Sequence, residues 1–171
     1  MFFMFGLTGF AQQKDKKQSR KEDRHEKRLN SYKAVREIIE SKDFIFDAKR
    51  VFPTGHRSMD LISNPGTIIV KNDSVTADLP YFGRAYTSGY GGEAGMKFSG
   101  KMTNEKLEFQ EDKYKIRYSF TVQGENDMYD IFMDMTSDEN VSVSINCRNK
   151  AAISYSGLIE RNKEESKNKK R

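Results

Sequence analysis

One stretch of this chain gathers the side chains best suited to recognition chemistry. Between Leu79 and Phe98 (LPYFGRAYTSGYGGEAGMKF) lie Tyr81, Phe82, Arg84, Tyr86, Tyr90 and Glu93, and Arg57 precedes them in a separate polar segment. Tyrosine and arginine combine rigid contact area with hydrogen bonding, the mixture that dominates binding hot spots. The glycines among them, such as Gly83, Gly89 and Gly95, let the backbone turn sharply or approach another surface closely. These seven residues are therefore the candidate ligand-binding set. A structural use competes with it: the tyrosines could close one end of a β-structure while Arg84 pairs with Glu93.

Other chemistries find less support in the residue pattern. Gly89 to Gly95 superficially resembles a phosphate-cradling loop, but it lacks the preceding strand, the following helix and the lysine such loops use. Acid–base catalysis by Glu93 needs a second group within reach, and the remaining acids are scattered over turns and strand edges. Asp127, Asp130, Asp134, Asp138 and Glu139 match no calcium-loop spacing. Cys147 sits on the apolar side of an alternating run, as a small buried hydrophobe would. The only histidines, His25 and His56, lie far from it in sequence. No catalytic set, metal site or cofactor is expected. A periplasmic hydrolase using Glu93 as acid or base is the alternative activity, and a structural or assembly module is the third reading.

The 171 residues suit one domain, and the formal charge of +5 is unevenly placed. Residues 12–28 carry eight basic and four acidic side chains, residues 160–171 six and three, and the part between sixteen and eighteen. The positive charge thus belongs to the ends, whereas a nucleic-acid domain carries it on a folded face. Nucleic acid is not an expected partner; a small molecule or an envelope protein is. Met1 to Ala11 (MFFMFGLTGFA) reads as the remnant of an export signal, with Gly9 and Ala11 where a signal peptidase cuts. It is too short for a membrane span. The expected location is periplasmic or secreted, and a lone cysteine fits a protein that does not depend on disulfides.

The elements that must position the candidate set follow from periodicity. Residues 12–28 are too polar to bury anything and read as a disordered linker. Leu29, Tyr32, Val35, Ile38 and Ile39 recur at helical spacing, which predicts a helix from Arg24 to Ser41 that covers an end or edge of the β-structure. From Phe44 onward the chain alternates in short runs, clearest in Tyr114, Ile116, Tyr118, Phe120 and Val122, with a tight hairpin at Asn72-Asp73. Short strands are expected at residues 95–99 and 106–110 around a polar turn, and a weak one from Arg57 to Ile62. Nine or ten strands without helical crossovers predict a mainly β antiparallel meander curling into a small barrel, or else a half-barrel or sandwich. One domain, residues 29–159, holds the N-terminal helix and these strands, and residues 160–171 form a basic tail. An uncovered strand edge could pair two copies of the chain.

Four segments carry a family resemblance: Arg50-Val51-Phe52-Pro53-Thr54-Gly55, Leu79-Pro80-Tyr81-Phe82-Gly83-Arg84-Ala85-Tyr86, Tyr90 to Phe98, and Ile153-Ser154-Tyr155-Ser156-Gly157. Over Tyr32 to Ile159 the chain resembles the domain-of-unknown-function 4251 family, small exported proteins of Bacteroidetes-type bacteria. The resemblance implies a β-rich fold of lipocalin-like topology preceded by a helix, and no assigned activity. The chain has no tryptophan, so the glycine–tryptophan signature of true lipocalins is missing and their ligand preferences do not carry over.

Overall fold

A computed structural model describes residues 9–86, 95–125, 127–137 and 140–162 of the chain, with side chains from Arg20 onward. Helix α1 (Gly9–Glu40) starts well before the Arg24 that the apolar spacing marks. The charged stretch read as a linker from sequence therefore lies within it. Lysine, arginine, glutamate and glutamine are good helix formers, so this stretch can continue a turn already anchored by packing. The anchor is Tyr32, Val35 and Ile39, each 5% exposed or less. At about 1.5–3 kcal/mol per buried side chain, these three hold the helix down. Lys42, with φ 51°, ends it in the left-handed conformation, its N–H donating to the Ile39 carbonyl at 3.1 Å.

The strands are β1 (Asp43–Pro53), β2 (Met59–Asp60), β3 (Gly66–Lys71), β4 (Ser74–Leu79), β5 (Met96–Gln110), β6 (Lys115–Gln123), β7 (Met128–Thr136), β8 (Asn140–Asn146) and β9 (Ile153–Arg161). From β3 to β9 each pairs antiparallel with the next, and β9 returns to β1, so the meander closes into an eight-stranded barrel. The short β2 is a flap on the last part of β1. Closure depends on Gly157, because a Cβ there would stand 2.0 Å from the Asp47 carbonyl oxygen across the β1–β9 seam. A bulge between Ala48 and Arg50 lets β1 keep pairing with β9 along nearly its whole length.

Two expectations change in detail. The strands read at residues 95–99 and 106–110 are one fifteen-residue strand, β5. The polar segment between them is a bulge rather than a turn: the β5–β6 register shifts between Thr103 and Lys106, with Asn104 at φ 52°. The weak strand from Arg57 to Ile62 shortens to Met59–Asp60, the residues in ladder register with Val51 and Arg50, and the Leu61 N–H adds one bond to the Lys49 carbonyl at 2.9 Å.

Inward-facing positions are filled with large side chains, as the narrow interior of an eight-stranded barrel allows. Phe44, Phe46, Ile68, Leu79, Met96, Ile131, Ile145 and Tyr155 leave no surface open to a water-sized sphere. No void large enough for water adjoins them. Tyr118 packs edge-on to Phe44 and against Phe120, which takes up the width of the interior. A ligand therefore cannot occupy the space beside these groups. The helix covers the end where β1 begins; residues 80–86, which leave β4, lie at the other end. No helix of the described residues is long and apolar enough to cross a membrane.

Candidate functional site

At the end opposite the helix, four segments converge on the turn between β8 and β9, residues 147–152. The segment leaving β4 crosses this end and pairs with the turn through an antiparallel bridge between Ala85 and Lys150. The Tyr86 N–H donates to the Asn149 carbonyl, and the Ala151 N–H to the Arg84 carbonyl, both at 2.8 Å. From the β1–β2 connection, the Thr54 hydroxyl donates to the Ala152 carbonyl at 2.6 Å. From the β6–β7 connection, the Asp127 carboxylate accepts the Asn149 N–H at 2.9 Å, the Arg148 N–H at 3.3 Å and the Met128 N–H at 2.8 Å. The fourth is the start of β5, where the Lys150 ammonium donates to the Gly95 carbonyl and lies 5.2 Å from the centre of the Tyr81 ring.

Within this interlock the candidate residues divide. Tyr81 is half-buried and structural, its hydroxyl within hydrogen-bonding distance of the carbonyls of Arg84 (2.7 Å) and Ala151 (3.1 Å). Its ring folds back over Gly83, where a Cβ would collide with the Tyr81 hydroxyl at 2.4 Å. Burial pushes the Tyr81 hydroxyl above the ordinary tyrosine range. Tyr155 supports the same segment from inside the barrel, donating to the Pro80 carbonyl at 2.9 Å. Phe82 is 40% exposed and Tyr86 67% exposed, so the plug at this end is the main chain of residues 80–86 with the Tyr81 side chain, not those two rings. Arg57 and Arg84 are exposed as well. Tyr90 and Glu93 lie outside the described residues, so the expected Arg84–Glu93 pair falls outside them too.

The structure thus brings Arg57, Tyr81, Phe82, Arg84 and Tyr86 to one barrel end. It also adds residues that the sequence reading passed over. Arg148 stands exposed in the central turn, and Phe52, Met59 and Met128 at the same end are each between 37% and 43% exposed. Asp127 is 8% exposed and is the clasp beneath the turn. Burial works to raise its pKa, but three backbone N–H groups and the Cys147 thiol outweigh that and hold it below the ordinary aspartate value. The Cys147 thiol is pushed up by burial and by the Asp127 charge, which makes it a poor nucleophile. The sequence signal for this clasp was weak: it showed two polar turns, with nothing to say that they meet.

Arginine pairing separates this end from the rest of the barrel. Of the six arginines between Asp43 and Asn162, Arg50, Arg117 and Arg161 pair with Asp60, Asp134 and Glu37 at 2.9, 3.2 and 3.2 Å. The other three, Arg57, Arg84 and Arg148, have no carboxylate partner among the described residues, and all stand on loops at this end. A separate shallow groove of about 200 Å³ lies on the outer wall between Lys106, Glu108, Arg117, Phe132 and Asp134, where charges of both signs compensate. No group of three histidine, cysteine or acidic side chains able to hold a metal occurs among the described residues.

The family model described as "Domain of unknown function (DUF4251)" matches residues 26–159. The crystal structure of a DUF4251 family protein from Bacteroides eggerthii superposes with a TM-score of 0.62 at 22% identity, covering 78% of this chain and 89% of that one. No curated protein matches the chain.

Proposed function

Since the chain belongs to the DUF4251 family, whose function is unknown, we propose a role from its own geometry: a non-catalytic recognition domain that holds a ligand or protein partner on the outside of its plugged end. The barrel is the mount. With the interior closed by side chains, contact must be made through what the loops present outward. The observation that carries the reading is the set of three arginines without a carboxylate partner among the described residues, at the same barrel end as exposed Phe82 and Tyr86 and on loops fixed by main-chain hydrogen bonds. Rigid aromatic and guanidinium groups lose little conformational freedom on binding, which is what makes such a surface adhesive. The hydrolase alternative depends on Glu93, outside the described residues, and no other observation favours it.

The envelope location is part of the proposal and rests on the Met1–Ala11 pattern. Fractionation of cells making the full-length protein from its natural start is expected to recover it outside the cytoplasm; recovery in the cytosol overturns that part. For the site, a photo-crosslinking amino acid is placed at Tyr86 and, separately, at Phe132 on the outer-wall groove. Adducts in living cells are expected from position 86 and not from position 132. Equal labelling at both, or labelling from 132 alone, overturns the assignment.

A further inference from the structure

The bridge that seats the plug also determines what its free side offers. The two bonds flanking it, Tyr86 N–H to Asn149 and Ala151 N–H to Arg84, make Ala85 and Lys150 a non-hydrogen-bonded antiparallel pair. In that geometry the N–H and C=O of Ala85 itself point away from the β8–β9 turn. Neither has a partner among the described residues, and Ala85 is exposed. The plug therefore carries a strand edge whose inner side is taken and whose outer side is open.

Side-chain alternation fixes what flanks that edge. Lys150 faces Tyr81 and Gly95, so Arg84 and Tyr86, on the opposite parity, face outward, roughly 7 Å apart at strand spacing. An added strand would set one side chain against Arg84 and another, two residues away, against Tyr86. A guanidinium fork without a carboxylate partner takes a carboxylate in two parallel hydrogen bonds, and the exposed Tyr86 ring takes an apolar or aromatic group. Arg57, on the connection tied to the turn through Thr54, and Arg148, in the turn itself, add positive charge at this end of the barrel.

Resting on the recognition role proposed above, we propose that the occupant is an extended acidic polypeptide segment, added as a strand along Ala85 with an acidic side chain at Arg84 and an apolar one at Tyr86. Two observations select a peptide over an acidic polysaccharide. An unpaired N–H and C=O on one residue is complemented at strand spacing by another main chain, and the outward spacing of Arg84 and Tyr86 matches alternate residues of a strand.

The test uses the full chain and a fluorescent acetylated hexapeptide, Thr-Glu-Thr-Tyr-Thr-Glu, which sets Glu and Tyr two positions apart on one strand face, followed by polarisation. Saturable binding is expected, weakened about tenfold or more by Arg84→Ala, in the range of hot-spot losses. Replacing every Glu of the peptide by Gln, or methylating alternate backbone nitrogens on its pairing edge, is expected to abolish binding. Ala85→Pro removes the outward N–H and leaves both bonds to the turn possible, so it is expected to lose the peptide at unchanged melting temperature. Should that variant unfold, the methylated peptide still decides. Binding that survives methylation, binding equal for Glu and Gln peptides, or no binding overturns the proposal. Polygalacturonate is the second probe. If it binds in the peptide's place and Arg84→Ala releases it, the plugged end remains a recognition surface and only the peptide assignment falls. Peptide binding untouched by Arg57→Ala, Arg84→Ala and Arg148→Ala would remove both.

Discussion

The two ends of the barrel are closed by opposite means. At the helix end, side chains hold other side chains. The Lys42 ammonium bridges Glu105 at 2.8 Å and Asp73 at 3.8 Å; Arg36 bonds Glu40 at 2.9 Å and Glu111 at 3.0 Å; Arg161 reaches Glu37 at 3.2 Å. His25 and Tyr114 meet at 2.6 Å, and Arg28 donates to Ser137 at 3.1 Å. At the plugged end, side chains hold main chain: Thr54, Tyr81, Asp127, Lys150 and Tyr155 all bond to backbone groups. A closure built on backbone acceptors and donors spends few charges, which leaves Arg57, Arg84 and Arg148 available for something outside the molecule. That difference supports the proposed use of the second end.

That contrast can be broken in several places, beginning with the largest effect. Ile39→Ala opens a hole beneath the helix and is expected to cost about 2–5 kcal/mol in urea unfolding, the range for truncating a buried isoleucine. Hydrogen exchange should rise in α1 while the amides of residues 147–152 stay protected; if both ends loosen together, they are not independent closures. Asp127→Ala is expected to cost about 1–3 kcal/mol, since it leaves backbone donors buried without acceptors. Here exchange should quicken at Arg148 and Asn149 and spare the helix.

Acid distinguishes the ends less sharply. The Glu105 carboxylate is held below its ordinary 4.5, chiefly by the Lys42 hydrogen bond and with help from the Tyr118 hydroxyl, against burial. Asp127 lies below its ordinary 3.8, its backbone donors winning over burial. A depressed folded-state pKa gives stability that is present above the unfolded value and lost as pH falls through the folded one. Stability should therefore decline below about pH 4.5, and Glu105→Gln should flatten the upper part of that decline while leaving the Asp127 part. An unchanged pH profile in the Gln variant would remove Glu105 from the helix-end closure. The smallest expected effect on stability is that of Arg84→Ala with Tyr86→Ala. Both positions are exposed, so the melting temperature should hold even as any binding at that end disappears. A marked drop in melting temperature would mean these side chains serve closure after all.

Much of the barrel wall was legible because a pleated strand encodes its facing in a period of two. Phe44, Phe46 and Ala48, or Tyr129, Ile131, Met133 and Met135, announced their inward side by type alone, and all are buried. The bulge in β5 was not legible, since Gly100 to Glu105 looks like any polar turn until Glu105 is seen between Lys42 and the buried Tyr118 hydroxyl. The helix start was misplaced because a mixed-charge run has no apolar stripe to mark where it ends. Of the candidate site, the aromatic and arginine types were visible as a cluster in sequence. That Tyr81 is a strut while Tyr86 is exposed could not be read, because both are tyrosines in one glycine-rich stretch and differ only in which neighbour's carbonyl lies within reach.

By itself the sequence determined the alternation, most of the turns between strands, the helix that needed a surface to cover, and the clustering of aromatic and arginine side chains from which the candidate site is drawn. Only the tertiary structure decided that the barrel closes through Gly157, that its interior is filled, and that Thr54, Arg84 and Asp127 meet at one turn. The reason is range. Facing depends on residues two apart, whereas Thr54 and Ala152 are 98 positions apart and become neighbours only when every strand between them has paired in register.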